Sequence, residues 1–261
     1  MITIDNKSSI SDYQAYKDVC RLAAIDDQAF NTFKSNTEYN VILEHTTSEQ
    51  GQAYINYIEL KKTLDLDSNV IELFAENDEQ GGAHVVNYGD KWGDISPSTL
   101  RYVKVLSELV EHFGTLDNFK IAEIGVGYGG QCMTITNYFD VQNYTLIDLP
   151  EVLALAKRYL SINDSSNLEF KTMSELKVSE YDLIISNYAI TECNKRVQLE
   201  YINKVLRGSK HGYITCNYIS DYFNIDSLTK DEFIEALGPD KQVKIVDEQP
   251  LTHARNFILI W

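Results

Sequence analysis

The chain is short of positive charge. Its 261 residues carry 23 lysines and arginines against 39 aspartates and glutamates, which gives a formal net charge of −16. Nucleic-acid phosphates and anionic membrane surfaces both attract clustered basic residues, so this composition disfavours both as partners. An anionic substrate would have to be met by a local basic pocket within an acidic surface.

Cysteine pairs are also missing. The four cysteines lie far apart in the sequence, and none belongs to a C-x-x-C pair. This spacing argues against a zinc site or a disulfide framework and predicts buried, reduced thiols. No metal-binding motif is recognisable, although scattered Asp and Glu side chains leave a magnesium site open.

Long apolar runs are absent as well, and no stretch approaches the length of a membrane span. Residues 1–7 lack the basic region followed by an apolar region that begins a signal peptide. We therefore expect a cytoplasmic protein. Its hydrophobic fraction of 44% is ordinary for a globular chain with a real core.

The first part of the chain, residues 1–98, is predicted to form a helical arm followed by a substrate lid. Apolar residues at spacings of three and four predict helices over 11–36 and 49–64. Residues 65–98 are rich in Gly, Asp and Asn, which predicts a long loop with little regular structure. Such loops commonly act as lids or binding segments.

The second part, residues 99–261, alternates strand and helix patterns, which is typical of a parallel sheet. Ser96 and Pro97 predict the start of the helix that leads into it. The connection between the last two strands is too short for a crossover, so this pair should be antiparallel. We predict an α/β fold with a seven-stranded, mostly parallel sheet and an antiparallel C-terminal strand. The predicted strands are 119–124, 144–148, 168–171, 181–187, 213–217, 242–248 and 256–261.

A glycine-rich turn follows the first of these strands. The strand ends near Glu123, and glycines at 125, 127, 129 and 130 precede a helical pattern. Glycine is needed where the backbone adopts positive φ or where a ligand touches the main chain. The spacing fits G-x-G-x-x-G, the dinucleotide fingerprint, and equally acid-x-G-x-G-x-G, a pattern of S-adenosylmethionine-dependent methyltransferases. A turn without any ligand is a third interpretation.

Two features favour S-adenosylmethionine over a dinucleotide. Glu123 would repel a pyrophosphate but not the ammonium group of a methionine. A dinucleotide fold also usually begins with its glycine loop, whereas here a long segment precedes it. Asp148, which ends the second strand, could accept both ribose hydroxyls of either cofactor; the alternative is an aspartate that caps the loop.

Further cofactor and substrate candidates follow the other strands. Leu149 suits a tight turn over an adenosine edge, and Ser174 could bond the adenine amine. Asn187, Tyr188 and Glu192 follow the fourth strand near the predicted switch point of the sheet, where ligands bind. Glu192 is a candidate catalytic base, or an acid stabilised at a helix start.

Histidines are also candidate bases, because a group with a pKa near 7 suits removal of a hydroxyl proton. His84 lies in the predicted lid and His253 in the last hairpin, whereas His45 is expected at the surface. Arg101 and Tyr102, early in the helix after the lid, could bind a carboxylate or phosphate.

Four separated segments, 96–102, 123–131, 144–151 and 186–192, resemble the bacterial sugar O-methyltransferases, a class I S-adenosylmethionine-dependent family. The resemblance implies a Rossmann-like fold, S-adenosylmethionine as donor, and a sugar or nucleotide-sugar acceptor in capsule or lipopolysaccharide biosynthesis. Val126 departs from the pattern, in which glycine is commoner, and is tolerable if its φ is negative. The resemblance supports Glu123, Gly125, Gly127, Tyr128, Asp148, Arg101, Asn187 and Glu192 as residues near the cofactor or the active centre.

Two other functions fit the same residues. One is an NAD-dependent oxidoreductase or epimerase acting on a nucleotide sugar. The other is a non-catalytic subunit that binds the cofactor and supports a partner enzyme. A homo-oligomer is compatible with each of them.

Overall fold

The computed structural model describes residues 8–161 and 166–261. The signal-peptide prediction concerns residues 1–7 and therefore lies outside the described part. Within the described ranges, no helix combines the length and apolar character that crossing a membrane requires.

The arm is helical, as predicted. Helix α4 begins with a capping box, in which Thr47 and Gln50 satisfy each other's backbone amides. The buried faces of the arm carry aromatic residues, among them Tyr16, Phe33 and Tyr39. The arm helices are α1 Gln14–Ile25, α2 Asp27–Phe30, α3 Thr37–Asn40 and α4 Ser48–Lys61, with a 3₁₀ turn at Phe33–Ser35.

The prediction of a loop with little regular structure over 65–98 is wrong. Asn77 is fully buried and donates to Thr134, while Asp78 accepts from the Ser96 amide and the Thr99 hydroxyl. These long-range bonds anchor the segment, which local composition does not reveal. It contains α5 Ser68–Ala75, a 3₁₀ turn Glu76–Asp78, strand β1 Val86–Asn87, α6 Gly89–Trp92 and strand β2 Asp94–Ile95.

Helix α7, Pro97–Phe113, begins where the sequence predicts. The Ser96 hydroxyl accepts from the Thr99 amide, and Pro97 occupies the first helical turn. The helix packs against α4 and against α8, which spans Gly130–Thr136. It is buried along most of its length, so it joins the arm to the sheet domain.

The main sheet confirms the predicted topology. In the described residues, seven strands lie in the order β5-β4-β3-β6-β7-β9-β8, and β9 is antiparallel to both neighbours while the other pairs are parallel. The order reverses between β3 and β6, so the switch point lies between their carboxyl ends. The strands are β3 Lys120–Ile124, β4 Asn143–Ile147, β5 Leu168–Lys171, β6 Tyr181–Asn187, β7 Ser209–Cys216, β8 Lys244–Asp247 and β9 Phe257–Ile260.

Helices cover both faces of this sheet. One buried cluster joins the arm, α7 and the helices beside them, and a second lies on the other face. Because arm residues share the first cluster with the sheet, the arm holds a fixed place beside the strand ends. The remaining helices are α8 Gly130–Thr136, α9 Pro150–Leu160, α10 Lys195–Tyr201, extended by a π turn Ile202–Leu206, and α11 Lys230–Leu237.

Candidate active site at the carboxyl ends of the strands

A cavity of about 960 Å³ opens at the carboxyl ends of the central strands. One side, here called the strand-end wall, is formed by residues 123–127, 148–150, 172–174, 187–189, 192 and 217. A second part of the lining, the arm wall, is formed by residues from 8–16 and 41–54 together with Arg101 and Tyr102. The volume is near the upper end of the ~300–1,000 Å³ that ligand pockets span, so two ligands can share it.

The glycine turn adopts the backbone conformation that its sequence predicts. Gly125, Gly127 and Gly129 have φ of +80°, +55° and +96°. A Cβ at Gly125 would lie 2.1 Å from Cβ of Ala189, so glycine lets the turns after β3 and β6 approach closely. The φ of Val126 is not positive, which explains why the chain tolerates valine there.

Asp148 caps this turn and also lines the cavity. Its Oδ2 accepts from the amides of Val126 (2.8 Å) and Gly127 (3.3 Å), and its Oδ1 accepts from the Leu149 amide (2.7 Å). Burial raises the pKa of Asp148 to about 6, against the lowering effect of these backbone bonds. The amides that could hold a pyrophosphate are therefore occupied by a carboxylate.

Glu123 is the second acid of the strand-end wall. It is 2% exposed, and the Tyr144 hydroxyl donates to its Oε2 at 2.8 Å. Burial raises the pKa of Glu123 to about 8. A nearby cation would favour ionisation of this carboxyl, whereas an anion would oppose it.

Leu149, Ser174, Asn187 and Tyr188 all line the cavity. Ser174 lies in a 3₁₀ turn, Met173–Glu175, that a capping box at Thr172 holds in place. Tyr188 has φ of +68°, and its hydroxyl donates to the buried Glu248. The strand ends therefore bring these four predicted residues together.

Glu192 lies in the same cavity and has an unusual environment for a carboxyl. Asn217 donates to its Oε1 at 2.5 Å, and burial raises its pKa to about 7. Helix α10 begins at Lys195 with Asn194 as its cap, so a helix-start role does not account for this acid. Its pKa suits a general base at neutral pH.

The two candidate histidines occupy different places. His253 lines the cavity from the loop between β8 and β9. His84 is exposed and does not contribute to the cavity wall, and neither does any other residue of 65–98. The predicted lid is instead anchored to α7 and α8 through Asp78 and Asn77. The arm wall lines the cavity in this structure, and the substrate-lid role of residues 65–98 stays a prediction.

Tyr128 is also displaced from its predicted position. It is 1% exposed, does not line the cavity, and packs edge-on against Phe33, Tyr102 and Tyr159. The ammonium group of Lys34 lies 4.2 Å from its ring centre. These partners come from distant parts of the chain, so the sequence beside the glycines could not reveal that this tyrosine is a core residue.

Arg101 and Tyr102 line the cavity as predicted, but sequence reasoning missed several neighbours. Asn217 follows β7 directly, so the strand-end rule that selected Asn187 could have found it. His45 is exposed, as expected, and also lies in the arm wall. Other cavity residues that were missed are Tyr13, Tyr16, Tyr54, Phe223, Thr252 and Asn256.

Among residues 8–161 and 166–261, no group of three or more His, Cys, Asp or Glu side chains is arranged to hold a metal ion. The cysteines Cys20, Cys132, Cys193 and Cys216 are all free and buried, as predicted.

No protein-family model and no curated protein sequence matches this chain. Several solved structures align with it at low identity. The pyocyanin biosynthetic protein PhzM is 13% identical over 61% of this chain and 56% of its own length, with a TM-score of 0.43. This match thus spans little more than half of that protein.

Two further structures align over more of their own length. A protein from Thermoplasma acidophilum is 14% identical over 76% of this chain and 96% of its own, with a TM-score of 0.46. The N-methyltransferase NodS from Bradyrhizobium japonicum WM9, in complex with S-adenosyl-L-homocysteine, is 14% identical over 61% and 83%, also with a TM-score of 0.46. Because these scores are low, the fold assignment depends on the strand order of this chain. That order, with β9 antiparallel to both neighbours, matches the Rossmann-like sheet predicted from the sequence.

Proposed function

We propose that this protein is an S-adenosylmethionine-dependent methyltransferase that modifies a sugar hydroxyl in surface polysaccharide biosynthesis. The observation that carries the proposal is one cavity at the switch point of the sheet. There, a positive-φ glycine turn capped by Asp148 faces the buried carboxyl of Glu192. A cofactor site and a base are thus adjacent.

The strand-end wall suits S-adenosylmethionine in shape and charge. Asp148, Leu149 and Ser174 would hold the adenosine, and Glu123 and Asn187 would face the amino-acid end. Bound S-adenosylmethionine supplies an electrophilic methyl group on a positively charged sulfur. Three carboxyls, Glu123, Asp148 and Glu192, lie in this wall, and a cationic ligand reduces the unfavourable free energy of ionising each of them.

The same wall disfavours NAD. A pyrophosphate needs free backbone amides at the glycine turn, yet Asp148 already accepts from two of them. A dinucleotide would also place its phosphates beside the carboxyls of Asp148 and Glu123. The oxidoreductase alternative is therefore the weaker of the two enzyme hypotheses.

Glu192 is the proposed base. At neutral pH its carboxyl is poised between its two protonation states, and the bond from Asn217 fixes one oxygen while the other can accept a proton. The acceptor hydroxyl would give its proton to Glu192 as its oxygen bonds to the methyl carbon, and the carbon–sulfur bond of the donor would break to leave neutral S-adenosylhomocysteine. His253, in the same cavity, is the second candidate for this role.

The sugar acceptor is supported by further polar and aromatic groups that line the cavity. Hydroxyl-rich ligands need several donors and acceptors beside apolar ring faces, and the cavity offers Thr252, Asn217 and Asn256 together with Tyr13 and Phe223. The amide oxygen of Asn256 is buried and has no hydrogen-bond partner in the described residues. A ligand hydroxyl could donate to it.

Thermal shift with S-adenosylhomocysteine and with NAD, titrated separately, tests the cofactor. We expect stabilisation by S-adenosylhomocysteine alone, since a ligand that binds only the folded state raises its stability. Stabilisation by NAD alone would contradict the proposal. Transfer of labelled methyl from S-adenosylmethionine to isolated surface glycans, located by mass spectrometry, tests the acceptor; donor binding without any methylated product would favour the non-catalytic subunit.

A further inference from the structure

Arg101 differs from the other arginines of the chain. No carboxylate among residues 8–161 and 166–261 lies within 4.0 Å of its guanidinium, although it is half-buried and lines the cavity. The other arginines have acceptors on the protein. Arg21, Arg158, Arg196 and Arg255 form ion pairs, and Arg207 donates to the carbonyl of Ala236.

A half-buried guanidinium without a carboxylate lowers the stability of the folded protein unless another group offsets its loss of hydration. Guanidinium stays protonated in proteins, so Arg101 cannot neutralise itself as a buried lysine can. The chain has 39 acidic residues, and selection for stability alone could easily have placed one beside it. Tyr102 is the neighbour that contacts the guanidinium, and it carries no charge to offset it. A cation that the cavity keeps without a protein carboxylate is positioned for an anionic ligand.

The surroundings of Arg101 fit an anion. Tyr54 and Tyr188, which both carry hydroxyl groups, line the same cavity as Arg101. The guanidinium of Arg101 lies 5.6 Å from the ring centre of Tyr102. Glu44 is the neighbouring acid, but it lies beyond ion-pairing distance and its buried Oε1 has no hydrogen-bond partner in the described residues. The cationic end of Arg101 therefore remains available to the cavity.

We propose that Arg101 is the binding residue for an oxyanion, a carboxylate or a phosphate, on a ligand in this cavity. A guanidinium can bind either group with two parallel hydrogen bonds. Naming the source of the anion rests on the proposed function. It would be either the amino-acid carboxylate of the methyl donor or an acidic group of the sugar acceptor, such as the phosphate of an activated sugar.

Calorimetric titration of Arg101→Met, Arg101→Lys and the wild type tests this assignment. The probes are S-adenosylhomocysteine, methylthioadenosine, which lacks the amino-acid part, and inorganic phosphate added to the protein–methylthioadenosine complex. Arg207→Met is the matched control, because it removes the same charge from an exposed site outside the cavity and outside the contacts that hold the arm wall.

A donor carboxylate at Arg101 predicts that Arg101→Met weakens S-adenosylhomocysteine about 10- to 100-fold and leaves methylthioadenosine unchanged. An acceptor anion predicts that both nucleosides bind as before while phosphate binding falls by a similar factor. Arg101→Lys should recover only part of either loss. Unchanged affinity for all three probes in Arg101→Met would overturn the proposal.

The two hypotheses can fail separately. Absence of nucleoside binding in the wild type would contradict the methyltransferase. In that case, phosphate titrated into the protein without a nucleoside still tests Arg101, and loss of its binding in Arg101→Met but not in Arg207→Met would support the anion site.

Discussion

The strand-end wall and the arm wall enclose one cavity but are built differently. The strand-end wall is built at the ends of neighbouring parallel strands, which local sequence patterns mark: the Val126 amide, after β3, donates to Asp148, after β4. The arm wall is held by contacts between distant segments: the Asn194 amide donates to the Ser8 carbonyl, and Arg21 pairs with Glu151. Local sequence can specify the first kind of wall, whereas the second exists only after the chain has folded.

The two walls also differ in charge. Glu123, Asp148 and Glu192 make the strand-end wall acidic, while Arg101 and His45 give the arm wall cationic or titratable groups. A donor with a positive sulfur suits the first wall, and an anionic group suits the second. Substitutions in the strand-end wall and in the arm wall should therefore weaken the binding of different ligands.

The largest effect should come from Glu192→Gln. Loss of a general base should lower kcat by about 10²- to 10⁴-fold and leave the affinity for S-adenosylhomocysteine unchanged. The wild-type rate should rise with pH as Glu192 loses its proton, near pH 7 in the free protein and at a lower pH once the cationic donor is bound, and the variant should lack this rise. Single-turnover methyl transfer across pH 5.5–8.5, with calorimetry of both proteins, checks this. A variant that keeps the wild-type pH profile would assign the base elsewhere, with His253 next to be tested.

Asp148→Ala should act on the donor instead. The substitution removes the acceptor for two backbone amides of the turn, for the Leu149 amide and for the ribose, so we expect at least about 100-fold weaker binding of S-adenosylhomocysteine. Asp148→Asn is the control, because its remaining oxygen can keep part of the cap. If both variants bind as tightly as the wild type in calorimetry, the glycine turn does not hold the nucleoside.

Glu123→Gln should change stability and donor binding in opposite directions. The unfolded chain loses this proton near the ordinary glutamate pKa of 4.5, while the folded protein keeps it to about 8. The buried carboxyl thus lowers wild-type stability as pH rises across that window, by up to about 1.4 kcal/mol per pH unit. The variant lacks this loss and should gain relative stability between pH 5 and 8.

Urea unfolding at pH 5, 6.5 and 8 measures this stability difference. The same variant should bind S-adenosylmethionine about 10-fold more weakly at pH 8.5, where a carboxylate would favour the donor's ammonium. A stability difference that does not vary with pH would show that Glu123 is ionised in the folded protein throughout.

The sequence predicted the strand-end wall because its determinants are local. The Ser96–Pro97 helix start, the positive-φ glycines and the acid after β4 all lie where their patterns place them. The burial of Tyr128 was missed because Phe33 and Tyr159, which enclose it, are far away in sequence. The regular structure of residues 65–98 was not predicted for the same reason, because the side chain of Asn77 donates a hydrogen bond to Thr134, which is far away in sequence.

The smallest effect should come from the two histidines, and it tests which wall covers the acceptor. His84 is exposed and outside the cavity, so His84→Ala should change kcat/KM by less than about twofold, as surface substitutions usually do. His253 lines the cavity, so His253→Ala should raise the acceptor KM several-fold, about the loss of one hydrogen bond. Steady-state kinetics with the unmethylated glycan fraction that accepts the methyl group distinguishes the two variants. If His84→Ala were the more damaging variant, residues 65–98 would have to close over the acceptor during turnover, and the arm wall would lose its role as the cover.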